Sequence, residues 1–163
     1  MSFILWCNVI APSDRQSLTL WTMLITGNPP YFSAEEAILP KVPMIAIVDD
    51  DESFRRATAS FVRSLGYGAV AFGSAEAFLK SDGIRDTDCL ISDVQMPGMT
   101  GIELQGRLIA QGHHVPIIFV TAFPEVRTRG RALAAGAIGF LDKPFNDHKL
   151  IACLQEALSA RPS

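Results

Sequence analysis

Cysteine is scarce in this chain of 163 residues, with only Cys7, Cys89 and Cys153 present. They are odd in number, far apart and without a C-x-x-C spacing. That argues against a disulfide framework and a cysteine zinc site, and fits a reducing compartment. Positive charge is not in excess either. Lys and Arg number 14 against 17 Asp and Glu, a net charge of -3, so the clustered basic surface that nucleic acid requires is not indicated. No apolar run reaches the roughly 20 residues of a membrane span. An apolar stretch near the start, "FILWCNVIA", has no Lys or Arg before it, and a secretory signal would want that basic flank. A cytoplasmic protein with no direct contact to nucleic acid or membrane is the expectation.

What is present is a globular composition, 48% hydrophobic and 19% charged, in a chain long enough for one ordinary domain. Residues 1–43 and 44–160 read as different kinds of sequence. The first part has no sustained period, carries the turn-rich "TGNPPYF", and allows only a short helix around Leu18 to Ile25. Two readings of it stay open. Met44 opens the first clear strand, so the natural start could be Met44 with an upstream reading-frame extension before it. The rival is a genuine N-terminal arm.

From Met44 onward, short β-like runs alternate with helical patterns. "MIAIV" is a continuous apolar run, as in a strand covered on both faces. Phe54, Ala57, Phe61, Val62 and Leu65 form one helical stripe that Gly66 ends. "AVAF" is a second strand, and Ser74 opens a helix with Ala77 and Phe78 inward. "CLIS" is the third. Thr100 and Glu103 make a capping box for a helix whose apolar face is Ile102, Leu104 and Leu108. "PIIFV" is the fourth strand; Pro124 suits the first turn of the next helix and Gly136 its end. "AIGFL" is the fifth, and Asn146 caps a last helix with Leu150, Ile151, Leu154 and Leu158 inward. Five strands alternating with five helices predict an α/β fold, a doubly wound parallel sheet with helices on both faces.

In such sheets ligands bind at the carboxyl ends of the strands. The first strand ends in "DDDE" (Asp49 to Glu52), the third at Asp93, the fourth at Thr121, and the fifth is followed by Lys143-Pro144. Clustered carboxylates repel one another, and a hard divalent cation makes the arrangement tolerable. A lysine and a hydroxyl suit phosphate oxygens, and a carboxylate can attack phosphorus. The set Asp49, Asp50, Asp93, Thr121 and Lys143 therefore reads as a magnesium-assisted phosphoryl acceptor. Each part alone has a duller meaning: "DDDE" a solvated helix start, Thr121 a strand-end hydroxyl, Lys143 a loop lysine, Cys89 and Cys153 core residues, His113-His114 a polar turn. Their joint occurrence in order speaks for chemistry.

"IAIVDDDESFR", "CLISDVQMPGMTGIEL", "PIIFVTA" and "GAIGFLDKPF" resemble the receiver domain of bacterial two-component response regulators, in the FixJ-type variant of this CheY-like family. The resemblance covers about Met44 to Leu158. It implies a flavodoxin-like (βα)5 sheet with strand order 2-1-3-4-5. It implies Asp93 as phosphoacceptor, converted to 4-aspartylphosphate by a sensor histidine kinase's phosphohistidine. Asp49, Asp50, Asp93 and the backbone carbonyl of Gln95 would hold Mg²⁺, and Lys143 would pair with phosphoryl oxygens. Thr121 and Phe140 would move as switch residues, biasing a surface of the fourth helix, fifth strand and fifth helix that can also form a homodimer. The Lys143-Pro144 peptide would be cis. Such a chain is not an enzyme beyond its own phosphorylation and dephosphorylation.

The departures also inform. A DNA-binding output domain would need roughly 60 further residues, so a single-domain phosphorelay receiver is expected. A receiver-fold module that binds without phosphorylation, or the receiver fragment of a FixJ-type transcriptional regulator, are the alternatives. A haloacid-dehalogenase-type phosphatase would place a second Asp two residues after the nucleophile, where Gln95 stands. Phe123, two residues past Thr121, is bulky and would hinder an attacking water, giving a long-lived aspartyl phosphate. Arg127, Arg129 and Arg131 lie on the predicted fourth helix, as a solvated face or as partners for acidic groups.

Overall fold

The five apolar runs become five parallel strands of one sheet in the computed structural model, which describes residues 41–159. They are β1 (Met44–Val48), β2 (Gly68–Phe72), β3 (Cys89–Asp93), β4 (Ile117–Thr121) and β5 (Gly139–Asp142), in the order β2-β1-β3-β4-β5. Between and after them run α1 (Glu52–Ser64), α2 (Ala75–Leu79), α3 (Gly101–Ala110), α4 (Val126–Ala134) and α5 (Asp147–Ser159), with a 3₁₀ turn at Asp82–Ile84. The expected order 2-1-3-4-5 is the observed one. Residues 1–40, with the helix allowed around Leu18 to Ile25 and Cys7, lie outside the described residues.

Alternate strand residues feed two separate cores, which is why the runs are apolar throughout. Ala46, Val48, Leu90 and Phe119 face α2, α3 and α4 through Phe78, Leu104, Leu108 and Ala132. Ile45, Ile47, Ile91, Ile118 and Val120 face α1 and α5 through Val62, Leu150, Leu154 and Ala157. Burying a side chain of this size contributes about 1.5–3 kcal/mol, so both faces are strongly specified. Cys89 is a buried core residue and Cys153 half-buried, both free thiols; burial pushes the Cys89 thiol up to about 12.

Several details differ from the sequence expectation. Ala57 and Ala77 are exposed, not inward. The α1 stripe centres on Thr58, Ala59 and Val62, with Phe54, Phe61 and Leu65 half-buried at its edges; an alanine costs little to expose. Pro124 is not in the first turn of α4. That helix starts at Val126 after an extended Glu125, and the bend before it is tied back by Phe123 N donating to Thr121 Oγ1 at 3.1 Å. The capping box at Thr100 forms as expected, Thr100 N donating to Glu103 Oε2 at 2.8 Å and Glu103 N to Thr100 Oγ1 at 3.2 Å. Asn146 caps α5 by accepting from His148 N at 2.8 Å.

Candidate functional site

Strand register decides which residues meet. Val48 pairs with Ser92, Asp93 with Val120, and Thr121 with Asp142. Asp49 therefore lies level with Asp93 on the neighbouring strand, Thr121 ends the next strand over, and Lys143 follows β5. β1 and β3 flank the point where the strand order reverses, the position at which open α/β sheets bind ligands.

The run "DDDE" divides its work. Asp49 is fully buried and accepts Asp51 N on Oδ1 at 2.8 Å. Asp50 is exposed. Asp51 is the N-cap of α1, accepting Ser53 N at 2.8 Å and Phe54 N at 3.1 Å, and Glu52 stands in the first turn, where the helix dipole favours it. The helix-start reading of this run thus holds for its second half only.

Carboxylate oxygens of Asp49, Asp50 and Asp93 lie within 4.8 Å of one another. The Lys143 ammonium bridges two of them, 2.5 Å from Asp49 Oδ2 and 2.7 Å from Asp93 Oδ2. Its side chain is only 15% exposed. Lys143 N donates to Thr121 O at 2.7 Å, which ties its backbone to the end of β4; the Lys143-Pro144 peptide is cis, as the resemblance implied. Asp93 Oδ1 accepts Gln95 N at 3.0 Å. Loss of water on burial pushes the Asp49 carboxyl above the usual aspartate range, although Lys143 and the Asp51 N–H pull the other way. Burial also works against the Lys143 ammonium, but the hydrogen bonds it donates to Asp49 and Asp93 outweigh that and hold its pKa above 10.5. The partners differ because one ammonium is shared by two carboxylates, so Asp49 recovers only part of what burial removes. An all-oxygen, net anionic donor set of this kind fits a hard divalent cation.

Thr121 is fully buried, and its hydroxyl oxygen accepts Phe123 N. Phe140 is buried beside Phe119, ring centroids 6.2 Å apart, with the Arg129 guanidinium 5.8 Å from its ring. Phe123 is 69% exposed. Arg127, Arg129 and Arg131 are exposed on α4, and His114 is exposed in the turn after α3.

Sequence reasoning missed three supports. Arg55 Nη1 donates to Asp49 O at 2.6 Å and Asp50 O at 3.1 Å, fixing the backbone of the acid pair. Its place one turn after Asp51 was the available signal. Glu76 Oε1 accepts Met99 N at 2.9 Å, tying α2 to the loop after Asp93, where Gly98 adopts φ +79°. Gly101 is required by contact: a Cβ there would lie 2.1 Å from Asp93 O. The opening of α3 thus backs directly onto the strand that carries Asp93.

A family model for the response regulator receiver domain matches residues 45–155. Response regulator protein TodT of Pseudomonas putida is 34% identical over 142 residues, which cover 87% of this chain and 63% of that protein. Transcriptional regulatory protein FixJ of Bradyrhizobium diazoefficiens is 38% identical over 114 residues, covering 70% and 56%. A crystal structure of a response regulator receiver protein from Burkholderia phymatum superimposes with a TM-score of 0.62 at 43% identity, covering 74% of this chain and 99% of that one. The chain spans between about half and two thirds of the length of these curated relatives. Among the described residues no helix is long and apolar enough to cross a membrane.

Proposed function

Because the chain belongs to the response regulator receiver domain family of two-component systems, we propose that Asp93 is a phosphoacceptor serving a sensor histidine kinase. The observation that carries this reading is the ammonium of Lys143 shared between Asp49 and Asp93 at the switch point of the sheet. In the proposed step a carboxylate oxygen of Asp93 forms a bond to phosphorus and the P–N bond of phosphohistidine breaks. The electron pair of that bond stays on the imidazole, which takes up a proton. Lys143 then pairs with phosphoryl oxygens. Thr121 already accepts Phe123 N, so its own O–H proton is left to donate to the phosphoryl group. Asp49, Asp50, Asp93 and the Gln95 carbonyl would hold Mg²⁺, which supplies charge neutralisation when bound.

Phosphorylation adds roughly -1.5 to -2 charge at Asp93. Movement of Thr121 and Phe140 toward it would bias the surface formed by α4, β5 and α5, for a downstream partner or a second copy. The chain's chemistry would be confined to its own phosphorylation and dephosphorylation, in the cytoplasm. The acceptor is tested by reducing the phosphorylated protein with borohydride and mapping its peptides. An acyl phosphate on Asp93 converts that residue alone to homoserine; a reduced residue elsewhere contradicts the assignment.

A second reading has its own observation. FixJ and TodT are longer than the matched region, which favours this receiver as part of a FixJ-type transcriptional regulator. Sequencing the transcript tests it: a reading frame continuing into a DNA-binding domain is the expected result for that reading.

A further inference from the structure

Phe54 counts in the sequence as one residue of the apolar stripe on α1, and the structure gives it a second contact. Its half-buried ring lies on the first turn of α1, directly beneath the Lys143 ammonium, whose Nζ is 4.0 Å from the ring centroid. That is well inside the roughly 6 Å limit for attraction between a cation and an aromatic face. Phe145, two residues after Lys143, meets the Phe54 ring edge to face, centroids 5.7 Å apart at 89°, which fixes the ring plane. The ammonium is thus held on three sides, by Asp49, by Asp93 and by a π face.

We propose that Phe54 is a positioning residue that keeps the Lys143 ammonium in the site while the carboxylates change partners; this rests on the phosphoacceptor reading above. Without phosphate, the ammonium is held by Asp49 Oδ2 and Asp93 Oδ2. Phosphorylation converts the Asp93 carboxylate to an acyl phosphate, and the ammonium must turn to the new phosphoryl oxygens. Lys143 sits on a flexible four-carbon stem whose rotamers open to solvent once a carboxylate contact is lost. The ring face is a contact that the chemistry leaves unchanged. It is uncharged, so it does not compete with phosphoryl oxygens for the ammonium, and its quadrupole still attracts the cation. A leucine would fill the same edge of the core and supply no such face.

The test measures acyl phosphate formation from acetyl phosphate and Mg²⁺ by intact mass on the full chain. Phe54→Leu and Phe54→Met should slow it roughly three- to tenfold, the range a partly desolvated cation–π contact supports, and Phe54→Tyr, which keeps the ring, should recover the rate. In a Lys143→Ala background, Phe54→Leu should have no further effect, since the two residues act as one unit. Proton NMR of Lys143 gives a readout independent of turnover: its ε-methylene protons should be shifted upfield by the ring in wild type and lose that shift in Phe54→Leu. A wild-type rate in both ring-free variants, an equal loss in the Lys143→Ala background, or an unshifted methylene overturns the proposal and leaves the phosphoacceptor reading standing. A folded wild type that takes no phosphoryl group overturns both.

Discussion

At the amino end of the sheet, buried polar groups are bound to backbone. Asp88 Oδ2 accepts Met44 N at 2.7 Å, its own N–H donates to Met44 O at 2.7 Å, and Thr87 Oγ1 donates to Gly83 O at 2.7 Å. At the carboxyl end, buried Asp49 and Asp93 share a side-chain cation that lies 94 and 50 residues away in the chain. Both ends bury aspartate: Asp88 holds the backbone of the first strand through Met44, whereas Asp49 and Asp93 share one lysine ammonium. The amino end closes the fold. The carboxyl end holds charge in a form that a ligand can take over, and the raised pKa of Asp49 is the cost of keeping it dry.

Substitutions at the two ends should separate stability from chemistry. Lys143→Ala strands a buried carboxylate and is expected to cost about 3–5 kcal/mol in chelator, with part of the loss returned by millimolar Mg²⁺; denaturant unfolding in both buffers checks this. A loss that Mg²⁺ leaves unchanged would contradict a cation site. At the other end, Asp88→Ala should cost about 1–3 kcal/mol by stranding Met44 N–H, with no change in the phosphorylation rate. If that rate fell with stability, the division between the ends would fail.

Asp49→Asn sharpens the contrast through pH. The folded carboxyl has a raised pKa, so its contribution to stability is present below pH 3.8 and declines as pH climbs through the raised value. Thermal melts in chelator should therefore favour the variant increasingly above about pH 4. Lys143, raised above 10.5, acts on the alkaline side: its contribution holds below that value and is lost as pH rises through the folded one. Removing the Asp49 charge should weaken that alkaline loss. A variant no more stable than wild type at neutral pH would show that burial of Asp49 is fully compensated. The smallest effect is expected at Phe123, which is largely exposed. Phe123→Ala should leave the melting temperature unchanged and shorten the lifetime of the phosphorylated protein; equal lifetimes would remove the shielding role.

The strand ends were legible because each is an apolar run stopped by a polar residue, and the alternation of runs with helical stripes dictates a parallel sheet. Asp49, Asp93, Thr121 and Lys143 follow from that pattern alone. Arg55, Glu76 and Phe54 did not, for a physical reason. Each has an ordinary local role, on a helix face or in a first turn, and its second role depends on a partner supplied by another element. Glu76 meets Met99 across 23 residues, and Phe54 meets Lys143 only after β5 has joined the sheet. Ala57 shows the converse: local periodicity placed it inward, but the helix turns Thr58, Ala59 and Val62 to the sheet and leaves Ala57 exposed.

The most direct measurement is intact mass after incubation with acetyl phosphate and Mg²⁺, for wild type and Asp93→Asn, with and without chelator. The account predicts a gain of one phosphoryl group in wild type, none in Asp93→Asn and none with chelator. A folded wild type that gains nothing, or an Asp93→Asn variant that gains as much, would contradict it.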